Sequence, residues 1–235
     1  MYRICELIHN VSSITDMADS TPIKSSAHRI PVQTIGRLSL YRRLLLDLSA
    51  GGMKQIYSHQ LASAAVATPA QVRRDLMMIG FTGSPRKGYA VDELILAVNA
   101  VLAKSVETSV ALVGVGNLGR AILAYYTNRQ PWVRFVAAFD RDADKANRII
   151  HGCRVFPIDQ VEDVLGREGI KAAVIAVPAA EAQRVADRLV LAGARSFLNF
   201  APVRLHLPTG IFVDDMDMST ALDRVAYYAH QQRQS

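Results

Sequence analysis

Six residues in mid-chain, Gly114-Val115-Gly116-Asn117-Leu118-Gly119, carry the spacing G-x-G-x-x-G, whose chemistry is the grip of a backbone loop on a pyrophosphate. Gly114 permits the tight turn, Gly116 lets the main chain approach the phosphates, and Gly119 allows a helix to lie close on a strand. The phosphates then sit at the helix N-terminus, where free N–H groups and the helix dipole favour an anion. Asp140 ends the apolar run Val133-Arg134-Phe135-Val136-Ala137-Ala138-Phe139, where a carboxylate accepts hydrogen bonds from the adenosine ribose hydroxyls. Such a carboxylate favours NAD over NADP because it repels a 2′-phosphate, although Arg141 beside it could receive one. Val177, Pro178, Asn199, Ala201 and Pro202 fall at the ends of two further apolar runs, where open α/β sheets place ligands.

A second cluster has different chemistry. Arg pairs bidentately with guanine and Gln with adenine when a helix lies in the major groove. Arg74 and Gln71 are therefore candidate base readers and Arg73 a candidate phosphate contact. Arg86 and Lys87, at the tip of the glycine-bounded stretch 81–91, are candidates for phosphate or the minor groove. Thr68, at the start of the same helix, completes the DNA-facing set. Asp75 is costly beside DNA unless it orients a neighbouring Arg.

The elements that must position these residues can be read from periodicity. Leu38, Tyr41, Leu45 and Leu48 form one face of a helix over 35–49 that Gly51-Gly52 stops. Ser58 caps a short second helix through Ala65, with Leu61 and Ala65 inward, and 66–68 is the length of a helix-turn-helix connection. Thr68 as N-cap, Pro69 at the first helical position and Gln71 at the third then make a capping box. In that third helix Val72, Leu76 and Ile79 share a core face, leaving Gln71, Arg74 and Met78 on another, with Arg73 and Met77 flanking. Stretch 81–91 reads as a β-wing.

Behind this module, Ser109-Val110-Ala111-Leu112-Val113 is a buried-type strand feeding the glycine loop and a helix through Tyr125. Further apolar runs at 172–177 and 196–198 alternate with helical stretches such as 181–191, giving a parallel, Rossmann-type α/β sheet. The tail 218–233 places Leu222, Val225, Ala226 and Ala229 on one stripe of an amphipathic helix. That stripe is buried either on its own sheet or in a partner subunit.

Composition narrows the classes. Of 235 residues, 50% are apolar, 20% charged and 7% aromatic, which is globular rather than disordered or fibrous. The net charge is +6; between positions 36 and 105 nine Lys/Arg face four acids, so the front module holds a surplus of five that attracts a polyanion. Cys5 and Cys153 alone make neither a disulfide framework nor a Cys-rich metal site, which fits a reducing cytoplasm. No apolar run approaches the roughly 18 residues of a membrane span, and residues 1–30 lack signal-peptide layout. They read as a poorly ordered extension, with Met17 a candidate start. The expected domains are 31–105 (winged helix), 106–216 (Rossmann-type) and 217–235 (C-terminal dimerisation helix and tail).

A dehydrogenase needs a proton-transfer residue and a substrate domain, yet roughly 130 residues follow Thr108 and one nucleotide-binding unit uses nearly all of them. His151 and His206 are the candidate bases, each more simply read as a surface or packing histidine. A small NAD-dependent oxidoreductase with a basic appendage is thus the weaker alternative to a non-enzymatic sensor. A CoA-binding domain, which shares the glycine loop, is a third reading.

Taken together, Arg37-Leu38-Ser39-Leu40-Tyr41-Arg42-Arg43, Gln71-Val72-Arg73-Arg74-Asp75, Lys87-Gly88-Tyr89, the glycine loop, Ala138-Phe139-Asp140, Val177-Pro178-Ala179 and Leu198-Asn199-Phe200-Ala201-Pro202-Val203 resemble the Rex family of redox-sensing transcriptional repressors, across roughly residues 30–230. The resemblance implies a homodimer with winged-helix domains on operator DNA, Rossmann domains sensing NADH against NAD⁺, and a C-terminal helix swapped between subunits. NADH binding then releases the operator. It also implies a switch contact in which Arg43 of one subunit meets Asp217 and Tyr125 of the partner subunit. The chain departs from the family pattern in its wing, Ser84-Pro85-Arg86-Lys87, where a Gly-rich Arg segment is common, and at Met218-Ser219, where Leu-Ala is usual.

Overall fold

The computed structural model describes residues 30–84, 86–102, 107–127 and 133–231. The expected extension, with Cys5 and Met17, lies outside these apart from Ile30, as do Pro85 in the wing and Arg233 in the tail. The chain forms two compact units, Met1–Val98 and Asn99–Ser235. The division falls a few residues before the boundary expected at 105, inside a helix.

In the first unit, helix α1 (Val32–Ala50) buries Thr34, Leu38, Tyr41 and Leu45, spaced i, i+4, i+7 and i+11 on one face. It stops at Gly51, whose N–H bonds Asp47 O, and Gly52 follows in the left-handed region at φ +85°. Strand β1 (Gln55–Ile56) and helix α2 (Ser58–Ala64) follow. The N-cap of α2 is Tyr57 and not Ser58: Gln60 Oε1 accepts from the Tyr57 N–H at 2.8 Å, and Ser58 is the first helical residue. Helix α3 (Pro69–Met78) starts where the sequence marks it, with Thr68 Oγ1 accepting from the Gln71 N–H at 3.2 Å. The second arm of the expected capping box does not form, because the Gln71 amide turns to Asp75.

Strand β2 (Tyr89–Ala90) pairs antiparallel with β1, Gln55 opposite Ala90 and Ile56 opposite Tyr89. The wing is thus anchored by a two-residue strand that has no periodicity to reveal it. Helix α4 (Val91–Leu102) buries Val91, Leu94 and Val98.

The second unit is a seven-stranded sheet: β3 (Thr108–Val113), β4 (Val133–Asp140), β5 (Ile149–Ile150), β6 (Cys153–Pro157), β7 (Ala172–Ile175), β8 (Ser196–Asn199) and β9 (Phe212–Asp215), in the order β5-β6-β4-β3-β7-β8-β9. All pairs are parallel except β5 with β6. Helices α5 (Asn117–Tyr126), α6 (Val161–Glu168) and α7 (Ala179–Leu191) cover it. Alternation along β3 serves both faces: Ala111 and Val113 pack with Val164, Leu165, Val185 and Leu189, while Val110 and Leu112 pack with Ile122 and Leu123. From β3 the chain runs outward to β4 and β6, then returns to β7 on the other side of β3. That reversal opens a crevice at the strand C-termini, the place where doubly wound sheets take ligands.

Helix α8 (Met218–Gln231) ends the described chain. Its apolar stripe is not covered by the sheet of its own unit: Leu222 is 66% and Val225 67% exposed, and Ala226 and Ala229 are open too. Among the described residues no helix is long and apolar enough to cross a membrane.

Candidate functional site

Each unit carries one concentration of chemistry. In the second, the glycine loop joins β3 to α5. Gly114 has φ +97°, and a side chain there would collide with the Ala176 carbonyl; one at Gly119 would collide with Gly114 and press Leu112. Gly116, by contrast, faces open space, with nothing within 4 Å of where a Cβ would stand. It is also the N-cap of α5, so the free N–H groups of that helix open onto the same space. Two glycines therefore serve packing, and the third leaves room for an anionic ligand.

Asp140 is 8% exposed and does more than end β4. Its Oδ2 accepts from the Val115 N–H at 2.7 Å and lies 3.4 Å from Lys145 Nζ, while its Oδ1 accepts from the Asp142 N–H at 2.9 Å. The carboxylate latches the glycine loop to the end of the neighbouring strand. Lys145, which also lies 3.4 Å from Asp142, is a site residue that sequence reading missed. Its only signal is its place five residues after Asp140. Arg141 is turned away to Glu181 at 3.1 Å, a carboxylate that Arg184 shares.

On the other side of the crevice Val177 is half-buried beside Gly114, and the exposed Pro178 is the N-cap of α7. Asn199 is wholly buried. Its Nδ2 donates to Val203 O and Asp215 Oδ1, both at 2.8 Å, and its Oδ1 accepts from the Ala201 N–H at 3.0 Å. Burial commits the Asn199 amide to shaping the turn that carries buried Ala201 and exposed Pro202 at this end of the strand. Asn117 and Leu118 are exposed at the start of α5.

The remaining titratable candidates sit elsewhere. His151 precedes β6 in a left-handed turn at φ +48°, at the strand N-termini and so at the sheet edge opposite the crevice. His206 is exposed, its backbone N–H bonded to Gln183. Burial pushes the Cys153 thiol up to about 11, which leaves it protonated at neutral pH. Among the described residues no group of His, Cys, Asp and Glu is placed to hold a metal. Tyr125 is exposed with Tyr126 edge-on to its ring, and Asp217 is the exposed N-cap of α8. Asp217 accepts from the Thr220 hydroxyl at 2.5 Å and the Thr220 N–H at 3.1 Å, which hold its carboxyl below the usual carboxylate range.

In the first unit, α3 turns Ala70, Arg73, Arg74, Met77 and Met78 outward around one shallow depression. Among the described residues the Arg74 guanidinium has no hydrogen-bond or ion-pair partner. Arg73 is braced by Ser58 Oγ at 3.1 Å. In the wing Arg86 and Lys87 are exposed; Ser84 Oγ accepts from both backbone N–H groups at 3.4 Å, and the Arg86 carbonyl accepts from the Tyr57 hydroxyl at 3.1 Å. Arg43 is exposed on α1.

Asp75, set among these cations, is not at the surface at all. It is wholly buried and accepts from Arg37 Nε at 2.7 Å, Arg37 Nη2 at 2.8 Å, Gln71 Nε2 at 2.9 Å and the Tyr41 hydroxyl at 3.0 Å. Burial pushes its carboxyl up, but the bonds from Arg37, Gln71 and Tyr41 outweigh it and hold the group below its ordinary value. The same arrangement raises Tyr41, through burial first and the bond to Asp75 second. The residue thus orients an Arg, and that Arg lies on α1.

The front unit therefore offers a polyanion an exposed cationic helix on which Gln71 and Arg73 are held, and the rear unit offers an anionic ligand a helix N-terminus. A family model described as "Putative DNA-binding protein N-terminus" matches residues 29–76, and one described as a CoA binding domain matches 105–203. The chain is 38% identical over 201 residues to the redox-sensing transcriptional repressor Rex of Syntrophobacter fumaroxidans, covering 85% of this chain and 96% of that one. It is 39% identical over 200 residues to Rex of Anoxybacillus flavithermus, covering 85% and 94%. Among solved structures it is similar to the Rex-family repressor RSP: in complex with beta-NAD+ and operator DNA the TM-score is 0.80 at 28% identity, over 91% of this chain and 95% of that one. In complex with beta-NADH the TM-score is 0.77 at 29% identity, over 87% and 96%. A match at this identity, over 85% of this chain and almost the full length of each relative, means that the chain belongs to the Rex family of redox-sensing transcriptional repressors.

Proposed function

We propose that the chain is a homodimeric, non-enzymatic DNA-binding repressor of the cytoplasm whose hold on a palindromic operator is set by NADH against NAD⁺. The observation that carries this reading is the open face of Gly116 at the N-terminus of α5, in the same chain as an exposed cationic helix capped by Thr68. The residues fit a dinucleotide. The backbone of Gly114, Val115, Gly116, Asn117, Leu118 and Gly119 holds the pyrophosphate, Asp140 holds the ribose while fixing Val115, and Val177, Pro178, Ala201 and Pro202 wall the nicotinamide side.

NADH and NAD⁺ differ by a hydride and one positive charge. Discrimination therefore requires the walls around the nicotinamide to exclude enough water for that charge to be felt. On the DNA side Arg74 and Gln71 read bases, and Arg73, Arg86 and Lys87 hold phosphate or the minor groove. Arg43, Tyr125 and Asp217 make the switch contact between subunits. The exposure of Arg43 and the anion stabilised at Asp217 support it.

Mobility shift of a palindromic operator titrated with NADH and with NAD⁺ tests this reading. NADH is expected to release the duplex and NAD⁺ to leave it bound. Equal effects of the two, or none, would refute the sensor. The match to a CoA binding domain model makes CoA the competitor to include, and CoA displacing NADH at similar concentration would shift the assignment of the crevice.

A further inference from the structure

Gln71 lies in the first turn of α3, and the N-terminal residues of a recognition helix are the ones that meet base edges. Its side chain is half-buried and not free to turn. Nε2 donates to Asp75 Oδ1 at 2.9 Å, and Asp75 is itself immobilised by two bonds from Arg37 and one from Tyr41. An ionised carboxylate accepts and cannot donate, so the amide edge facing Asp75 has to be the NH₂ group. A glutamine free to move can meet adenine with both amide groups, or turn its NH₂ alone toward the two acceptors of guanine with Oε1 pointing away. This one cannot make that turn.

Resting on the reading of α3 as the DNA-recognition helix, we infer that Asp75 is the residue that sets base preference at the position Gln71 meets. With Nε2 held, Gln71 presents Oε1 and its remaining N–H in one fixed order, the complement of adenine N6 and N7. Guanine offers O6 and N7, two acceptors, and its O6 would face Oε1. Asp75 is thus a positioning residue that makes a permissive amide selective for adenine over guanine, without touching DNA.

The test is selection of bound duplexes from a palindrome library by the full chain, with the bound fraction sequenced. Wild type is expected to favour adenine over guanine roughly tenfold or more at one symmetric pair of positions. Gln71→Met, similar in size and helix propensity, should flatten that pair alone. Asp75→Asn can donate to Oε1 as readily as accept from Nε2, and should lose the same preference while keeping the rest of the wild-type profile. Thermal melts accompany both variants; if Asp75→Asn does not fold, Gln71→Met carries the test. A folded Asp75→Asn that keeps the adenine preference, an unchanged profile in Gln71→Met, or a wild-type preference for guanine at the position it flattens, would overturn the inference. Arg74→Ala binding the operator like wild type would instead refute the placement of α3 on DNA, a separate outcome.

Discussion

Arg74, Asp140 and Asn199 are all site candidates in the sequence, and they take different roles once their surroundings are fixed. Arg74, exposed and without a protein partner among the described residues, is expected to abolish operator binding when changed to Ala while leaving NADH affinity intact; filter binding and calorimetry on one preparation check both. Asp140→Ala removes the acceptor of the Val115 N–H, a buried bond whose loss costs about 1–3 kcal/mol, so NADH affinity should fall roughly tenfold or more. Unchanged affinity in calorimetry would remove Asp140 from the site. Glycine roles and the strand-end carboxylate were legible in the sequence because loop geometry admits few residue types there. Asn199 was legible only as a position: that its amide turns inward depends on Asp215, on a strand sixteen residues away. Lys145 was missed because a lysine in a polar turn has no distinguishing local pattern.

At the scale of elements, the contact between α1 and α3 rests on a wholly buried carboxylate. Because the native Asp75 carboxyl is held below its ordinary value, its contribution is present above the unfolded value of about 3.9 and is lost as pH falls through the lower native one. Asp75→Ala leaves Arg37 and Tyr41 without their partner and should cost roughly 3 kcal/mol at neutral pH, the gap to wild type narrowing below about pH 4. Denaturant melts at pH 7 and pH 3 measure it, and a gap that does not narrow contradicts the role. Elements with strong local signals were legible: Thr68 and Pro69 at the start of α3, and the strand, loop and helix from 108 to 126. Two-residue strands, which are made by pairing and are too short to show a periodicity, were not. Strand β1 exists because Ile56 meets Tyr89, and β5 because Ile150 meets Cys153. Nor could an acid four residues after Gln71 be recognised as buried without knowing that Thr34, Arg37 and Tyr41 face it.

At the scale of the whole molecule, α8 presents Leu222 and Val225 about two-thirds exposed, with Tyr227 and Tyr228 nearly as open. A stripe of this kind calls for a partner, and in the proposed homodimer a second copy supplies it. Leu222→Asp combined with Val225→Asp should convert a dimer in sedimentation into a monomer and weaken operator binding, because two half-sites about 34 Å apart need two helices α3. A wild-type monomer, or a double variant that stays dimeric, contradicts the helix exchange. The sequence periodicity could define that stripe but not what covers it.

In the proposed repressor the crevice and helix α3 are thermodynamically linked. If NADH weakens operator binding by some factor, the operator must weaken NADH binding by the same factor. Moving a two-state dimer from 1:99 to 99:1 needs about 10⁴-fold discrimination between its states, so the effect is measurable even if only part of it is realised. The decisive measurement is NADH affinity by calorimetry with and without saturating operator duplex, and NAD⁺ affinity alongside. NADH is expected to bind the DNA complex more weakly, by the factor with which it releases DNA, and NAD⁺ to change little. An NADH affinity that the operator leaves unaltered would contradict the account.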